Sequence, residues 1–459
     1  MTDYYFKTLL LFILFTGISI SCSEDLEPEI KPLDPEQAPV IIPDGSEGYL
    51  NEDSDFIFDQ DSLHTYELII PEANYAFLNN DPAEEEYVEA SLVFRGDTIS
   101  PVGVRYKGSI GAFVNCLSNT DWSNPSGRKT CTKLSMKVKI NWGEREEKFY
   151  KLKKLQFHSM NNDPSQFRER LGYHLFKEMD IPTPRCVHAR LVINGEFNGL
   201  FALVEQVDGR FAKYHFDDDD GNIYKEKWPL DDTGNPFPSE QYIAALKTNE
   251  ENADVQIIKS FAQSLSTSSP EQISDVIEEY MDIPEIMSYC VIDRMIRHDD
   301  GPLHWYCNDD GCESHNFYWY EEPNNKKLHL IPWDLDNAFE NIIQNFNPVT
   351  PIADEWGETR NNCKPFFFGL FLTEQKSAAC DPLTAGWASN LQEYQSLQNT
   401  FKTGPFAKNK IDPLIDKWTE QIMDATVEAK NLHGDALSIT RWENRKTELI
   451  EQIDFAREN

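Results

Sequence analysis

The chain reads as an α+β protein, sheet-rich in its first half and mainly helical in its second. Three observations carry this reading. From about residue 62 to 140, and again from 185 to 205, apolar and polar residues alternate as they do in strands that bury one face. Between residues 164 and 179, and from about 406 onward, apolar residues recur at the spacing of a helix face. The chain has 459 residues, 40% of them hydrophobic, enough for a sizeable core in one domain of two lobes or in several ordinary domains.

Residues 1–22 read as an export signal. Leu9 to Ile20 is apolar but too short for a membrane span, and small residues lead into Cys22. The segment resembles a bacterial lipoprotein signal, with Ser19 where an aliphatic residue is commoner, so Cys22 is the expected lipidation site. A plain cleaved signal peptide is the alternative. Ser23-Glu24-Asp25 is similar to the acidic surface-export signal of Bacteroidetes lipoproteins. This implies an outer membrane lipoprotein exposed at the cell surface, or else one on the periplasmic face. Residues 23–62 are rich in Pro, Glu and Asp and cannot bury a core, so they read as an extended tether.

The net charge of -36 repels nucleic acid and anionic lipid, so no nucleic-acid partner is expected and membrane contact is left to the lipid anchor. Eight of the nine cysteines remain after Cys22. In an exported chain, proximity pairs Cys116 with Cys131, Cys307 with Cys312, and Cys363 with Cys380. Cys186 and Cys290 are then buried thiols or a fourth pair.

In chain order, GVRYKGS sets Arg105 and Lys107 on one strand face and ends in Gly108, where backbone amides can approach a phosphate. KLSMKVKINW puts Leu134, Met136, Val138 and Ile140 on one face and Lys133, Ser135, Lys137 and Lys139 on the other. The helix after Phe157 has Asp163 as a natural N-cap and Pro164 in the first turn, with Phe167, Leu171, Leu175 and Met179 on one face. Glu169 lies on this helix, either paired with a lysine or solvated. Asn194-Gly195 is a strong hairpin signal between two alternating runs. Glu205 after the hairpin orients a ligand or only a neighbouring loop. DDDDGN at 217–222 fails the calcium-loop pattern, with Phe216 and Lys227 at ligand positions. Residues 270–297 give two amphipathic helices.

The stretch from Val291 to Glu340 is the chemical centre. An acidic turn, His298-Asp299-Asp300-Gly301, is followed by a cysteine-bracketed excursion. Asn316 opens the strand NFYWY, and the strand KLHLIPW delivers Asp334 and Asp336. Carboxylates among large apolar residues such as Trp333 and Phe339 are costly unless paired or metal-bound. Two carboxylate groups with an amide between them are the parts that phosphoryl transfer uses.

IPWDLDNAF, the upstream DDG and HNFYWY resemble the CotH family, the spore-coat-type atypical protein kinases. GVRYKGS, NGEFNGLFALVEQ and GNIYKEKW are similar to further blocks of that family, in its order. The resemblance implies a bilobed, atypical protein-kinase-like fold over residues 63–459, with a sheet-rich small lobe to about 225 and a mainly helical large lobe beyond. It implies ATP with Mg2+ or Mn2+ as cofactors and an exported protein as substrate. Asp300 is the implied acceptor-facing carboxylate, with Asp299 next. Asp336 is the implied metal ligand, with Asp334 and Asn316. Arg105, Lys107, Lys137, Glu205 and Lys225 are implied at the nucleotide, with Lys133 an open alternative to Lys137. In a kinase-like lobe the phosphate lysine pairs with a helix carboxylate, here Glu169. There is no G-x-G-x-x-G loop, and the Asp300-to-Asn316 spacing exceeds that of ordinary kinases. Two rival readings are a catalytically inactive surface binding or adhesion module of the same fold, and a hydrolase with paired carboxylates.

Overall fold

The computed structural model describes residues 53–458, apart from 109, 114, 120, 122–123, 144–146, 299, 310, 341, 343–358 and 369–372. The first alternating segments become seven strands: β1 (His64–Ile69), β2 (Val88–Phe94), β3 (Asp97–Tyr106), β4 (Met136–Lys139), β5 (Lys154–His158), β6 (Cys186–Ile193) and β7 (Glu196–Val204). They form a closed barrel in the order β1-β2-β3-β4-β5-β7-β6, with β6 returning to pair in parallel with β1. Closure leaves no sheet edge exposed. Every second residue points inward, and Tyr66, Phe94, Tyr106, Met136, Phe157 and Phe201 pack there as one apolar cluster. The Asn194-Gly195 turn joins β6 to β7 with φ of 51° and 82°, the left-handed pair that a two-residue hairpin requires.

A second cluster holds the remaining core, so the α+β class comes with two hydrophobic centres. The helix α1 (Arg168–Lys177) buries Leu171, Leu175 and Phe176, as its periodicity predicts. It starts later than the sequence suggests. The N-cap position falls on Phe167, not on the expected Asp163; Asp163 forms a tight turn ahead of it, Oδ1 accepting from Ser165 N at 2.9 Å and Oδ2 from Arg168 N at 2.9 Å, which leaves Pro164 outside the helix. The pair α2 (Ile273–Tyr280) and α3 (Ile283–Ile296) also departs from expectation in one respect. The first is amphipathic, whereas α3 buries residues all round, including Tyr289, Cys290 and Asp293, and is the central helix of this core.

Two further sheets follow. One has the order β12-β11-β8, from β8 (Asn222–Lys225), β11 (Phe317–Glu322) and β12 (Lys327–Pro332), and packs on α3 through β12. Residues 222–225, counted with the small lobe from the sequence, thus hydrogen-bond with β11. The other combines β9 (Trp305–Asn308), β10 (Gly311–Glu313), β13 (Phe366–Phe368) and β14 (Thr373–Lys376). The long helices α4 (Lys408–Leu432) and α5 (Ile439–Glu458) close the chain. They reach the barrel as well as the helical core. Arg190 on β6 meets Glu428 at 2.7 Å, and Trp442 Nε1 donates to Ser165 O at 2.9 Å.

The three cysteine pairs named from proximity are disulfides, while Cys186 and Cys290 are buried thiols. Three disulfides belong to an extracellular or other oxidising compartment. Among the described residues no helix is long and apolar enough to cross a membrane.

Two histidines make the fold sensitive to acid. His188 Nδ1 accepts from Arg170 at 2.7 Å and Nε2 donates to Gln166 O at 2.7 Å, so the ring is neutral; burial and then Arg170 hold its pKa well below the ordinary value. Burial likewise lowers His215 to about 4. A depressed folded-state pKa means the unfolded chain binds the extra proton first. Each histidine therefore contributes stability that is fully present above about pH 6.5 and is lost on acidification. Raised carboxylates act in the opposite sense, so the readout is a difference. Between pH 7 and pH 5, His215→Phe is expected to lose about 2 kcal/mol less unfolding free energy than the wild type in urea titrations. Parallel losses in the two proteins would refute this.

Candidate active site

Strand parity puts Arg105, Lys137 and Gln156 on the outer wall of the barrel, where they lie side by side across β3, β4 and β5. Lys107 follows directly after β3. Its Nζ donates to Gln156 Oε1 at 3.0 Å and to His158 Nε2 at 2.8 Å. An ammonium can only donate, so Nε2 is the acceptor and the ring proton sits on Nδ1. Nδ1 in turn donates to Glu169 on α1, at 2.8 Å from Oε1 and 3.0 Å from Oε2. The result is a Lys107–His158–Glu169 chain with the Trp333 ring 5.4 Å from Nζ. Glu169 is buried, not solvated on the helix surface; burial pushes its carboxyl up to about 8, with Lys107 pulling the other way.

Arg168, the preceding residue on α1, reaches across to the acidic strand end. Nη1 donates to Asp336 O at 3.2 Å and lies 3.1 Å from the Glu340 carboxylate. The backbone beyond β12 turns sharply. Asp334 adopts the left-handed conformation at φ 53°, and its N–H donates to Tyr173 Oη at 3.1 Å. Asp and Asn tolerate this region better than other L-residues, and here it turns the chain straight from the strand into a short helical turn.

Asp300 and Asn316 are sixteen positions apart in the numbering yet touch: Asn316 Nδ2 donates to Asp300 Oδ2 at 2.8 Å. Asn316 is held by its own N–H on Glu226 Oε1 at 3.1 Å and by Trp333 N donating to its carbonyl at 3.1 Å. His298 joins the acidic turn to the second carboxylate group. Its ring is completely buried, with Nδ1 3.4 Å from Asp293 Oδ2 and Nε2 donating to Asp334 O at 3.2 Å. Burial opposes the imidazolium, but Asp293 and then Asp300 overcome it and raise the pKa. Gly301 makes room for this arrangement, since a Cβ there would sit 2.3 Å from His298 Nδ1.

Asp300, Asp334 and Asp336 all have raised pKa values, first because protein surrounds them and then because carboxylates face one another. Asp334 and Asp336 nevertheless keep some accessible surface. Among the described residues nothing donates a hydrogen bond to either carboxylate. Crowded carboxylates without donors fit a divalent cation: oxygen ligands are present, and the ion's charge would offset the repulsion.

The structure thus brings together Lys107, Asp300, Asn316, Asp334 and Asp336. Lys137 is buried in the wall between Arg105 and Gln156. Arg105 turns to Glu85 and lies over Tyr87. Lys133 donates to Leu200 O at 2.8 Å and so is committed elsewhere. Glu205 is held in a fork by Arg185, at 3.0 Å from Nε and 2.5 Å from Nη2, and is therefore committed to a buried ion pair. Lys225 ends β8 opposite Tyr318. Asp299 and Cys22 lie outside the described residues. Sequence reasoning missed His158, Gln156 and His298. A signal existed for the first two: with Lys154 they are the polar residues that alternate with Leu155 and Phe157 along β5.

A family model described as CotH kinase protein matches residues 104–459, well over half of the chain. No curated protein matches.

Proposed function

The chain belongs to the CotH kinase family, and from that premise we propose that it transfers phosphate from ATP to hydroxyl groups of an exported protein, outside the cytoplasm. The observation that supports this most is the meeting of Asp300 with Asn316 beside Asp334 and Asp336, next to the Lys107–His158–Glu169 chain. ATP with Mg2+ or Mn2+ supplies the phosphoryl group and neutralises its charge during transfer. Asp336 and Asp334, with Asn316, are the groups to hold the cation. Lys107 is the cation for the phosphates, kept in place by His158 and Gln156. Asp300 faces the acceptor hydroxyl and takes its proton, while Asn316 fixes the rotamer of that carboxylate. The raised pKa of Asp300 brings it nearer to that of a working base.

The same reading gives the protein a lipid on Cys22 and the acidic segment 23–62 as its tether at the outer membrane surface. Cys22→Ser should then lose labelling by palmitate; continued labelling would sink the anchor. The activity is tested by incubating the wild-type chain with γ-labelled ATP and Mg2+ or Mn2+. Label in protein hydroxyls is the expected result. Failure to bind nucleotide with either metal would favour the inactive binding module instead.

A further inference from the structure

His158, Glu169 and Asp334 each place a ligand atom within 4.8 Å of the others. They come from three separate elements: the end of β5, the first turn of α1 and the turn after β12. Two of the three are firmly positioned. Glu169 is buried on the helix, and His158 Nδ1 already lies 2.8 Å from its Oε1, a separation that suits neighbouring ligands of one ion. The Asp334 carboxylate accepts no hydrogen bond from a described residue, although carboxylates and rings crowd it. The local balance is acidic: the charges of Asp334, Glu169, Asp163 and Asp300 all bear on Asp336, and Arg168 is already engaged by Asp163 and Glu340.

We propose that His158, Glu169 and Asp334 form a nucleotide-independent site for a transition-series divalent cation, Zn2+ or Mn2+, in preference to Mg2+ and Ca2+. The preference follows from the donor set. An imidazole and two carboxylates match the three-ligand sites with open positions that transition-series ions occupy, whereas Mg2+ and Ca2+ select oxygen donors. Binding at Nδ1 moves the ring proton to Nε2. Nε2 then becomes a donor and can no longer accept from Lys107. Filling the site therefore releases Lys107 from His158 while Gln156 still holds it. The release of Lys107 toward phosphate rests on the phosphoryl-transfer reading; the cation site does not.

The test uses the full metal-stripped chain without nucleotide. Calorimetric titration with ZnCl2, MnCl2, MgCl2 and CaCl2 should show one Zn2+ or Mn2+ bound about tenfold or more tighter than Mg2+ or Ca2+. His158→Gln should weaken Zn2+ and Mn2+ by about 10–100-fold and Mg2+ hardly at all. Should that variant unfold, the wild type still answers: electron spin-echo modulation from bound Mn2+ must show coupling to an imidazole nitrogen. Mn2+ bound without nitrogen coupling, equal affinity for Mg2+, or no cation bound without nucleotide would each overturn the site. A chain that binds Mn2+ through nitrogen but transfers no phosphate keeps the site and loses the kinase reading. One that transfers phosphate with Mg2+ but shows no nitrogen coupling does the reverse.

Discussion

Asp336→Asn should abolish phosphate transfer and, in the metal-free protein, raise the melting temperature. The two effects share a cause. The carboxylate has no hydrogen-bond donor among the described residues, and Asp334, Glu169, Asp163 and Asp300 all oppose its charge. An amide of the same shape removes that repulsion, while Arg168 keeps its bond to the backbone carbonyl of residue 336. The same change removes a negative ligand from the cation that neutralises the transferred group. Several kcal/mol of transition-state stabilisation correspond to a loss of roughly a thousandfold or more in label transfer. A carboxylate kept for folding would behave oppositely, since its loss would destabilise the chain. Label transfer with γ-labelled ATP and thermal unfolding of the two proteins decide the point. Transfer at the wild-type rate would place the metal elsewhere, and a lowered melting temperature would show that Asp336 is structural.

Asp300→Asn should reduce turnover by about 10²–10⁴-fold with little change in nucleotide affinity. Asp300 is positioned by Asn316 at 2.8 Å on one side and by the His298 turn on the other. An amide at this position can keep a hydrogen bond to Asn316 after a side-chain flip but cannot take the acceptor's proton. The measurements are single-turnover label transfer and calorimetry with ATP and Mn2+. Transfer within about threefold of wild type would remove Asp300 from the acceptor side. Loss of nucleotide binding instead of turnover would move it to the metal side.

Not every residue that the chain offered for this chemistry joins the cluster, and the pattern is informative. Lys107, Asp334 and Asp336 stand at strand ends, where the local sequence already shows both the strand and its termination. Asn316 was placed on the same grounds, although its distance from Asp300 in the numbering counted against it. The excursion between them is itself folded into the β9–β10 hairpin and closed by the Cys307–Cys312 disulfide, so it adds length without separating the ends. Lys137 has the parity of Gln156 and so the right face, but it is buried in register between Arg105 and Gln156, two positions away from the level of Lys107 and His158. Glu205 follows a strand just as Asp334 does. Only the packing of Arg185 beside it shows that its charge is taken.

The sequence by itself determined the α+β class, the Asn194-Gly195 hairpin, the apolar face of α1, the three nearby disulfides and the carboxylates of the acidic strand ends. These depend on periodicity, turn chemistry and short separations, which are local properties of a chain. Tertiary structure decided that the first strands close into a barrel, that α3 is buried on every side, and that His158 stands between Lys107 and Glu169 while His298 stands between Asp293 and the backbone of Asp334. Alternation tells which face of a strand a side chain takes, but not what covers that face. The partner of a buried charge is set by strand register and by which helix packs on the wall. Both are fixed by contacts between residues far apart in the chain, and no stretch of sequence carries them alone.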